Sequence, residues 1–343
     1  MAETAYVYHP IYLEHNQPSH PENARRLEHI LDVLEEQALW DRLVLVAPRA
    51  ATKEELLRVH TKGHIDRVRT AAERGGRYLD PDTYTSPQSF QAALMAAGGV
   101  VNAVDKVLNS EIDNAFALVR PPGHHATAER AMGFCLFNNV AIAARAALAR
   151  QQIERVFIAD FDVHHGNGTA DLFAEDPDVF YFSTHQYPYY PGTGAKDDLG
   201  RGAGRGTALN VPLPTGVGDK GYARIFDTLV WPLAERFKPN LILVSAGYDG
   251  HWDDPLAHMA LSLTGYAAMA QTLVDMAEQL CQGRIVFALE GGYHLDALAY
   301  GVLNAFYALL GEGVVIDPLG PSPRPVRSID PLIDELKHLH QLD

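Results

Sequence analysis

Asp160, Asp162 and His164 stand at positions i, i+2 and i+4 of DFDVHHGNGT, where the apolar run VFIA ends. Side chains alternate along a strand with a period of two, so this spacing predicts all three on one face. A lone carboxylate there reads equally well as the cap of a turn; three aligned polar groups read as a metal-ligand set. A further carboxylate, Asp249, ends the apolar stretch NLILVSAGY, where burial is costly unless a cation or hydrogen bonds receive the charge. Asp162, His164 and Asp249 make an Asp/His/Asp site with an open position, which suits a catalytic zinc that also holds water and substrate. Iron(II) and cobalt(II) suit the same donors, because ligand type does not decide metal identity. The pair His124 and His125 in RPPGHH brings imidazoles whose ordinary pKa lies near neutrality, as a general base for a metal-activated water requires. Tyr293, after two glycines in LEGGYH, is a hydroxyl donor for the oxyanion of a tetrahedral intermediate. Gly133, Phe134, Tyr189 and Tyr190 supply small and aromatic surfaces to wall a narrow apolar tube.

Those groups need elements to position them. Short β-branched and apolar runs at 115–119, 156–159, 179–182, 241–245 and 285–289 read as strands of a parallel sheet. Helix-like stretches at 138–150, 220–237 and 263–281 have the spacing of crossover helices, so the fold class is α/β with one sheet. RPPGHHA, DFDVHHGNGT, SAGYDGHWDDP and EGGY each follow a predicted strand, at the sheet edge where open parallel sheets bind ligands. Convergence on one cleft is expected. After about Gly313 the chain turns Pro-rich and ends in a short helix-like piece, which reads as a linker plus a docked helix.

With 343 residues, 47% of them hydrophobic, the chain can bury a large core. Its two cysteines, Cys135 and Cys281, exclude a four-thiolate zinc site and suit a reducing compartment, with Cys135 expected to be a buried structural thiol. No N-terminal targeting pattern is present, and no stretch approaches the roughly 20 apolar residues of a membrane span, so a cytoplasmic location and no membrane partner are expected. A net charge of -15 opposes direct nucleic-acid binding and says little about the substrate.

HPENARRL, RPPGHHA, GFCLFNNVAIAA, DFDVHHGNGT, YYPGTG, NVPLP, SAGYDGHWDDPL and LEGGY follow one another along most of the chain. In this order and at these spacings the sequence resembles the zinc-dependent histone deacetylase superfamily, which includes bacterial histone deacetylase-like amidohydrolases and acetylpolyamine amidohydrolases. The resemblance implies a single-domain, three-layer α/β/α architecture around a mostly parallel sheet. Residues 1–313 would be the catalytic domain and 314–343 a Pro-rich linker and helix packed on it. It implies zinc at Asp162, His164 and Asp249, His124 and His125 as tandem base and acid with His125 the favoured base, and Tyr293 polarising the scissile carbonyl. Asp160 would pair with His124 and Asn167 would stand beside His125. Asn167 carries no charge, so His125 would be held protonated less strongly than beside a carboxylate. A structural monovalent cation, usually potassium, would be held through Asp160, Ser183 and the backbone carbonyls of Asp162, His164 and Thr184. Gly133, Phe134, Tyr190 and Leu256 would wall the channel, with His20 and Arg26 anchoring a loop near it.

The implied reaction is hydrolysis of N-acyl amides, foremost deacetylation of N6-acetyl-lysine in a protein or peptide. Leu256 stands where a polyamine-preferring relative is expected to carry a glutamate, which favours acyl-lysine over acetylpolyamines or other small acylated amines. A two-metal ureohydrolase shares the fold but needs a carboxylate where this chain has Gly166. A silent acyl-lysine-binding module would lack a ligand, a base or the tyrosine, and none is missing. Homo-oligomerisation is left open. His15, His60, His64, His185, His251, His258 and His294 are expected to be structural or surface residues.

Overall fold

Eight strands form one sheet in the computed structural model, which describes residues 3–342; residues 1–2 and 343, the ends of the two expected segments, lie outside the described residues. The strands are β1 (Thr4–Val7), β2 (Val44–Leu45), β3 (Asn114–Ala117), β4 (Val156–Asp160), β5 (Val179–Gln186), β6 (Ala208–Leu213), β7 (Leu241–Ala246) and β8 (Ile285–Leu289). Their order is β2-β1-β3-β8-β7-β4-β5-β6, and every pairing is parallel. Every residue of β3, β4, β5, β7 and β8 is buried. Strands covered on both faces need apolar residues on both, which is why these five read as continuous apolar runs.

The three strands that the sequence pattern missed have weak local signals. β2 is two residues long, too short for any period to register, and β1 is a four-residue strand close to the start of the chain. β6 contains Pro212, which argues against a strand; at the sheet edge its missing N–H has no ladder partner to lose.

Helices cover the sheet in two sets. Ser89–Leu108 packs on Asn139–Leu148, and Leu295–Leu309 packs on both Arg25–Glu36 and Leu263–Cys281. The Asn138 side chain caps its helix by accepting the Ala141 N–H, and Ser262 caps Leu263–Cys281 through the Gly265 N–H, so both helices start where polar cap residues meet apolar sequence. The stretch expected as one helix at 220–237 is continuous from Asp219 to Phe237 but widens into a π-helical segment, Phe226–Val230, just before Pro232. A π-turn gives room for a ring that has no N–H and clashes with the preceding turn.

The tail lies against these layers. Trp252 Nε1 donates to Gly320 O at 2.9 Å, Arg327 N–H donates to Gly216 O at 2.8 Å, and the helix Asp330–His340 buries Ile333 and Leu336. No helix among the described residues is long and apolar enough to cross a membrane.

A histidine braces the region next to the site. His60 Nδ1 faces Thr127 O at 2.9 Å while its Nε2 accepts the Asn138 N–H at 2.9 Å, an arrangement only a neutral ring can satisfy. Burial first, and then neighbouring His64, lower its pKa from 6.5 to about 3; burial lowers His64 to about 4. The unfolded chain therefore binds protons that the folded one refuses, and stability is lost as pH falls from about 6.5 towards 4. By pH 5 each histidine is expected to cost about 2 kcal/mol. Urea unfolding of His60→Gln should show lower stability at pH 7 and a shallower decline towards pH 5 than the parent; parallel declines would contradict this.

Candidate active site

The loops that carry the polar clusters leave β3, β8, β7 and β4, four neighbours in the middle of the sheet. Parallel pairing puts their C-terminal ends on one edge, so residues as distant in sequence as His124 and Tyr293 meet there. β4 ends at Asp160 in register with Ser245 of β7 and Ser183 of β5, and the chain then bends. This corrects the one-face expectation: Asp162 and His164 lie past the strand, where its period no longer governs. They meet through a local turn in which Asp162 Oδ1 accepts the His164 N–H at 2.9 Å, while Asp160 accepts the Asp162 N–H with Oδ1 and turns Oδ2 to His124 and Tyr181.

His164 Nδ1 lies 3.2 Å from Asp162 Oδ1 and 3.1 Å from Asp249 Oδ2. Asp162 and Asp249 are buried, with exposures of 1% and 0%. Two carboxylates sharing one imidazole in so dry a place carry more negative charge than one proton offsets, which is the environment of a cation. The backbone is shaped around these oxygens. A Cβ at Gly291 would stand 2.3 Å from Asp249 Oδ2 and 2.6 Å from Asp162 Oδ2, and the Gly291 N–H donates to Asp162 Oδ2 at 2.8 Å. One nitrogen and two oxygen donors beside a pocket fit a divalent ion such as zinc with room left for substrate. A second group of candidate donors among the described residues is His124, Cys135 and Glu290. There the Cys135 thiol donates to Gly133 O and the Glu290 carboxylate is taken up by backbone amides.

Behind the donors stand the two histidines, both buried. His124 Nδ1 is 3.0 Å from Asp160 Oδ2, which also accepts the Tyr181 hydroxyl at 3.0 Å; His125 Nδ1 is 2.8 Å from Asn167 Oδ1. Their electrostatics diverge. Burial works to lower the His124 pKa, but the carboxylates of Asp162, Asp160 and Glu290 outweigh it and push it up to about 10. Burial, then the neighbouring His124 and His164, hold His125 well below the ordinary histidine value. Gly166 is bound up with this pair. A Cβ there would lie 2.2 Å from Asp160 Oδ2 and 3.1 Å from His124 Nδ1, so the carboxylate that a two-metal ureohydrolase needs at this position has no space.

A cavity of ≈ 280 Å³ opens above the donors, lined by His124, His125, Gly133, Phe134, Asp162, His164, Tyr189, Tyr190, Leu256 and Tyr293, with Asp82, Pro122 and Gly291. All four expected channel residues thus line the same cavity as Asp162 and His164. Of the residues expected around a monovalent cation, Ser183 and Thr184 sit on β5 beside Asp160; the Ser183 hydroxyl pairs with His185 Nδ1 at 3.0 Å, and Thr184 Oγ1 is buried without a hydrogen-bond partner. His20 is buried and its Nε2 meets Asp82 O at 3.0 Å. Of the histidines expected to be structural or surface residues, His15, His60, His64, His185 and His251 are buried and His258 is exposed. Both cysteines are free and buried.

Three polar features surround the site, of which only Arg26 was expected, as the anchor of a loop near the channel. Glu22 and Arg120 form a fully buried ion pair, Nε to Oε1 at 2.5 Å and Nη2 to Oε2 at 2.8 Å, which ties RPPG to the N-terminal segment. Arg26 joins Glu22 at 3.0 Å, donates to Gly292 O at 2.7 Å and Glu290 O at 2.6 Å, and lies over the Tyr293 ring at 5.1 Å. Two carboxylates hold catalytic-loop amides: Glu290 Oε2 accepts the N–H groups of Gly123 and His124, and Asp254 Oδ2 accepts those of Tyr293 and His294. Burial raises both acids to about 7. The available signal was position: Glu290 and Asp254 are charged residues within motifs that follow buried strands.

Residues 20–309 match the model of the histone deacetylase domain. A probable deacetylase of Archaeoglobus fulgidus is 44% identical over 312 residues, covering 90% of this chain and 86% of that one. The histone deacetylase-like amidohydrolase of Pseudomonas aeruginosa is 42% identical over 301 residues, covering 87% and 78%. Histone deacetylase 14, chloroplastic, of Arabidopsis thaliana is 42% identical over 351 residues, covering 96% and 83%. The crystal structure of the HDA15 HD domain superposes with a TM-score of 0.91 at 36% identity, over 99% of this chain and 94% of that one.

Proposed function

We propose, from the premise that this chain belongs to the histone deacetylase family, that it removes the acetyl group from N6-acetyl-lysine in proteins or peptides. Family membership makes it a hydrolytic enzyme of the deacetylase and amidohydrolase kind. The observation that carries the mechanism is the meeting of Asp162 and His164 with both histidines and Tyr293 around one cavity, with Asp249 grouped with Asp162 and His164 as a third donor.

Asp162, His164 and Asp249 would hold a zinc ion, in preference to iron(II) or cobalt(II), and the bound ion would supply Lewis acidity to the acyl carbonyl and to water. His125, kept neutral by burial and by the neighbouring His124 and oriented by Asn167, takes the proton from the attacking water. His124, kept charged by Asp160, gives a proton to the departing amine. Tyr293 donates its hydroxyl to the carbonyl oxygen as negative charge develops there. Gly133, Phe134, Tyr190 and Leu256 enclose the methylenes that lead to the amide. Potassium would be held by Asp160, Ser183 and the backbone carbonyls of Asp162, His164 and Thr184. Residues 1–313 act as the catalytic domain, with 314–343 as a linker and docked helix. A cytoplasmic location is supported by two free cysteines.

Acetyl-lysine is favoured because Leu256 gives the channel wall an apolar side chain that cannot pair with a distal ammonium. A small acylated amine is the second reading, favoured by Asp82, whose carboxyl group belongs to a residue lining the same cavity. An acetyl-lysine peptide and N-acetylputrescine, assayed side by side with zinc-loaded protein, separate the two. The peptide is expected to have at least about tenfold higher kcat/KM, on the order of what one favourable contact contributes to discrimination. Preference for N-acetylputrescine would overturn the substrate assignment and leave amide hydrolysis standing.

A further inference from the structure

Asp254 is a buried carboxylate that takes no part in the donor set or in the histidine pairs. Its Oδ2 accepts the N–H of Tyr293 at 2.7 Å and that of His294 at 3.1 Å, while its Oδ1 accepts the N–H of Leu256 at 2.9 Å. The last bond fixes the carboxylate to its own loop; the first two fix the backbone that carries the tyrosine. Tyr293 follows Gly291 and Gly292, and Gly292 has φ +116°, a conformation open to glycine and little else. Such a pair of glycines gives the chain before Tyr293 little stiffness of its own. Arg26 holds the near side through Gly292 O, and Asp254 holds the far side through the Tyr293 amide. His294 then caps the helix Leu295–Leu309 through the Ala297 N–H, so the tyrosine sits between the glycine pair and the start of a helix.

We infer that Asp254 is a positioning residue for the Tyr293 hydroxyl: by binding the Tyr293 and His294 amides it sets the angle at which the hydroxyl meets the carbonyl oxygen. The inference rests on the proposed role of Tyr293 as a donor. A donor displaced by about 1 Å loses much of its effect on the rate, because stabilisation of developing charge depends on fixed geometry. Asp254→Asn tests it. The amide keeps the size of the side chain but has one acceptor oxygen where the carboxylate uses two, and its NH2 would face an N–H.

The experiment is a double-mutant cycle of Asp254→Asn and Tyr293→Phe on the zinc-loaded protein with an acetyl-lysine peptide, with metal content and thermal midpoint recorded for each variant. Asp254→Asn alone is expected to lower kcat by about 10–100-fold with KM changed less than about threefold. In the Tyr293→Phe background the same change should lower kcat by less than about threefold, because the group it positions is gone. Equal losses in both backgrounds, or no loss in the parent, would overturn the inference while leaving Tyr293 as donor. If Tyr293→Phe alone leaves kcat unchanged, the donor role itself falls, and the inference with it. Should Asp254→Asn not accumulate as folded, metal-loaded protein, Asp254→Ser, which keeps one small acceptor, goes through the same cycle.

Discussion

Asp249→Asn is expected to abolish stoichiometric metal binding and to lower kcat/KM by on the order of 10³-fold or more, a loss of about 4 kcal/mol in transition-state stabilisation. The residue is buried, reaches His164 Nδ1 with Oδ2 and accepts the Val163 N–H at 2.9 Å with Oδ1. Asparagine keeps the shape and can still accept the Val163 N–H, so the fold should survive. What it removes is one of two negative charges, and with it the strongest reason for a dication to enter so dry a site. Metal analysis and a peptide assay on the same preparation check both halves. Full metal content with near-parental activity would mean that the ion, if one is needed, sits elsewhere.

Tyr293→Phe should lower kcat by about 10²–10³-fold and leave KM nearly unchanged, as removal of a donor to a developing oxyanion does. Tyr293 lines the cavity shared by Asp162 and His164, and its ring is held by Arg26 at 5.1 Å and edge-on by Phe134 at 5.9 Å. Burial pushes its pKa well above the ordinary tyrosine value, so the hydroxyl stays a neutral donor across the assay range. Phenylalanine preserves both ring contacts, which confines the change to one oxygen. A rise in KM at constant kcat would instead mark the hydroxyl as a ground-state binding group.

Why some of this was legible in the sequence and some was not has a physical basis. Strands buried on both faces must be apolar throughout, so the five central strands announced themselves, as did helices opened by Asn138 and Ser262. Polar residues directly after such strands stand at the ligand-binding edge whatever the sheet order, so the donors, both histidines and Tyr293 could be selected before their spatial order was known. Edge strands β2 and β6, one too short and one with a proline, carry no such signal. For Asp254 and Glu290 the position was legible and the role was not: both bind backbone N–H groups of loops far away in sequence, and amide partners have no residue type to recognise. The Asp162 and His164 spacing shows a subtler limit. The residues do come together, but through a turn bonded by Asp162 Oδ1 and not through the alternation of a strand.

The most direct test is a zinc titration of chelator-stripped protein, followed by acetyl-lysine peptide hydrolysis. Stripped protein should be inactive, and activity should rise linearly and saturate at one zinc per chain, with the Asp249→Asn protein silent throughout. Undiminished hydrolysis by the stripped protein, or saturation only at two zinc ions per chain, would contradict a single metal centre built from Asp162, His164 and Asp249.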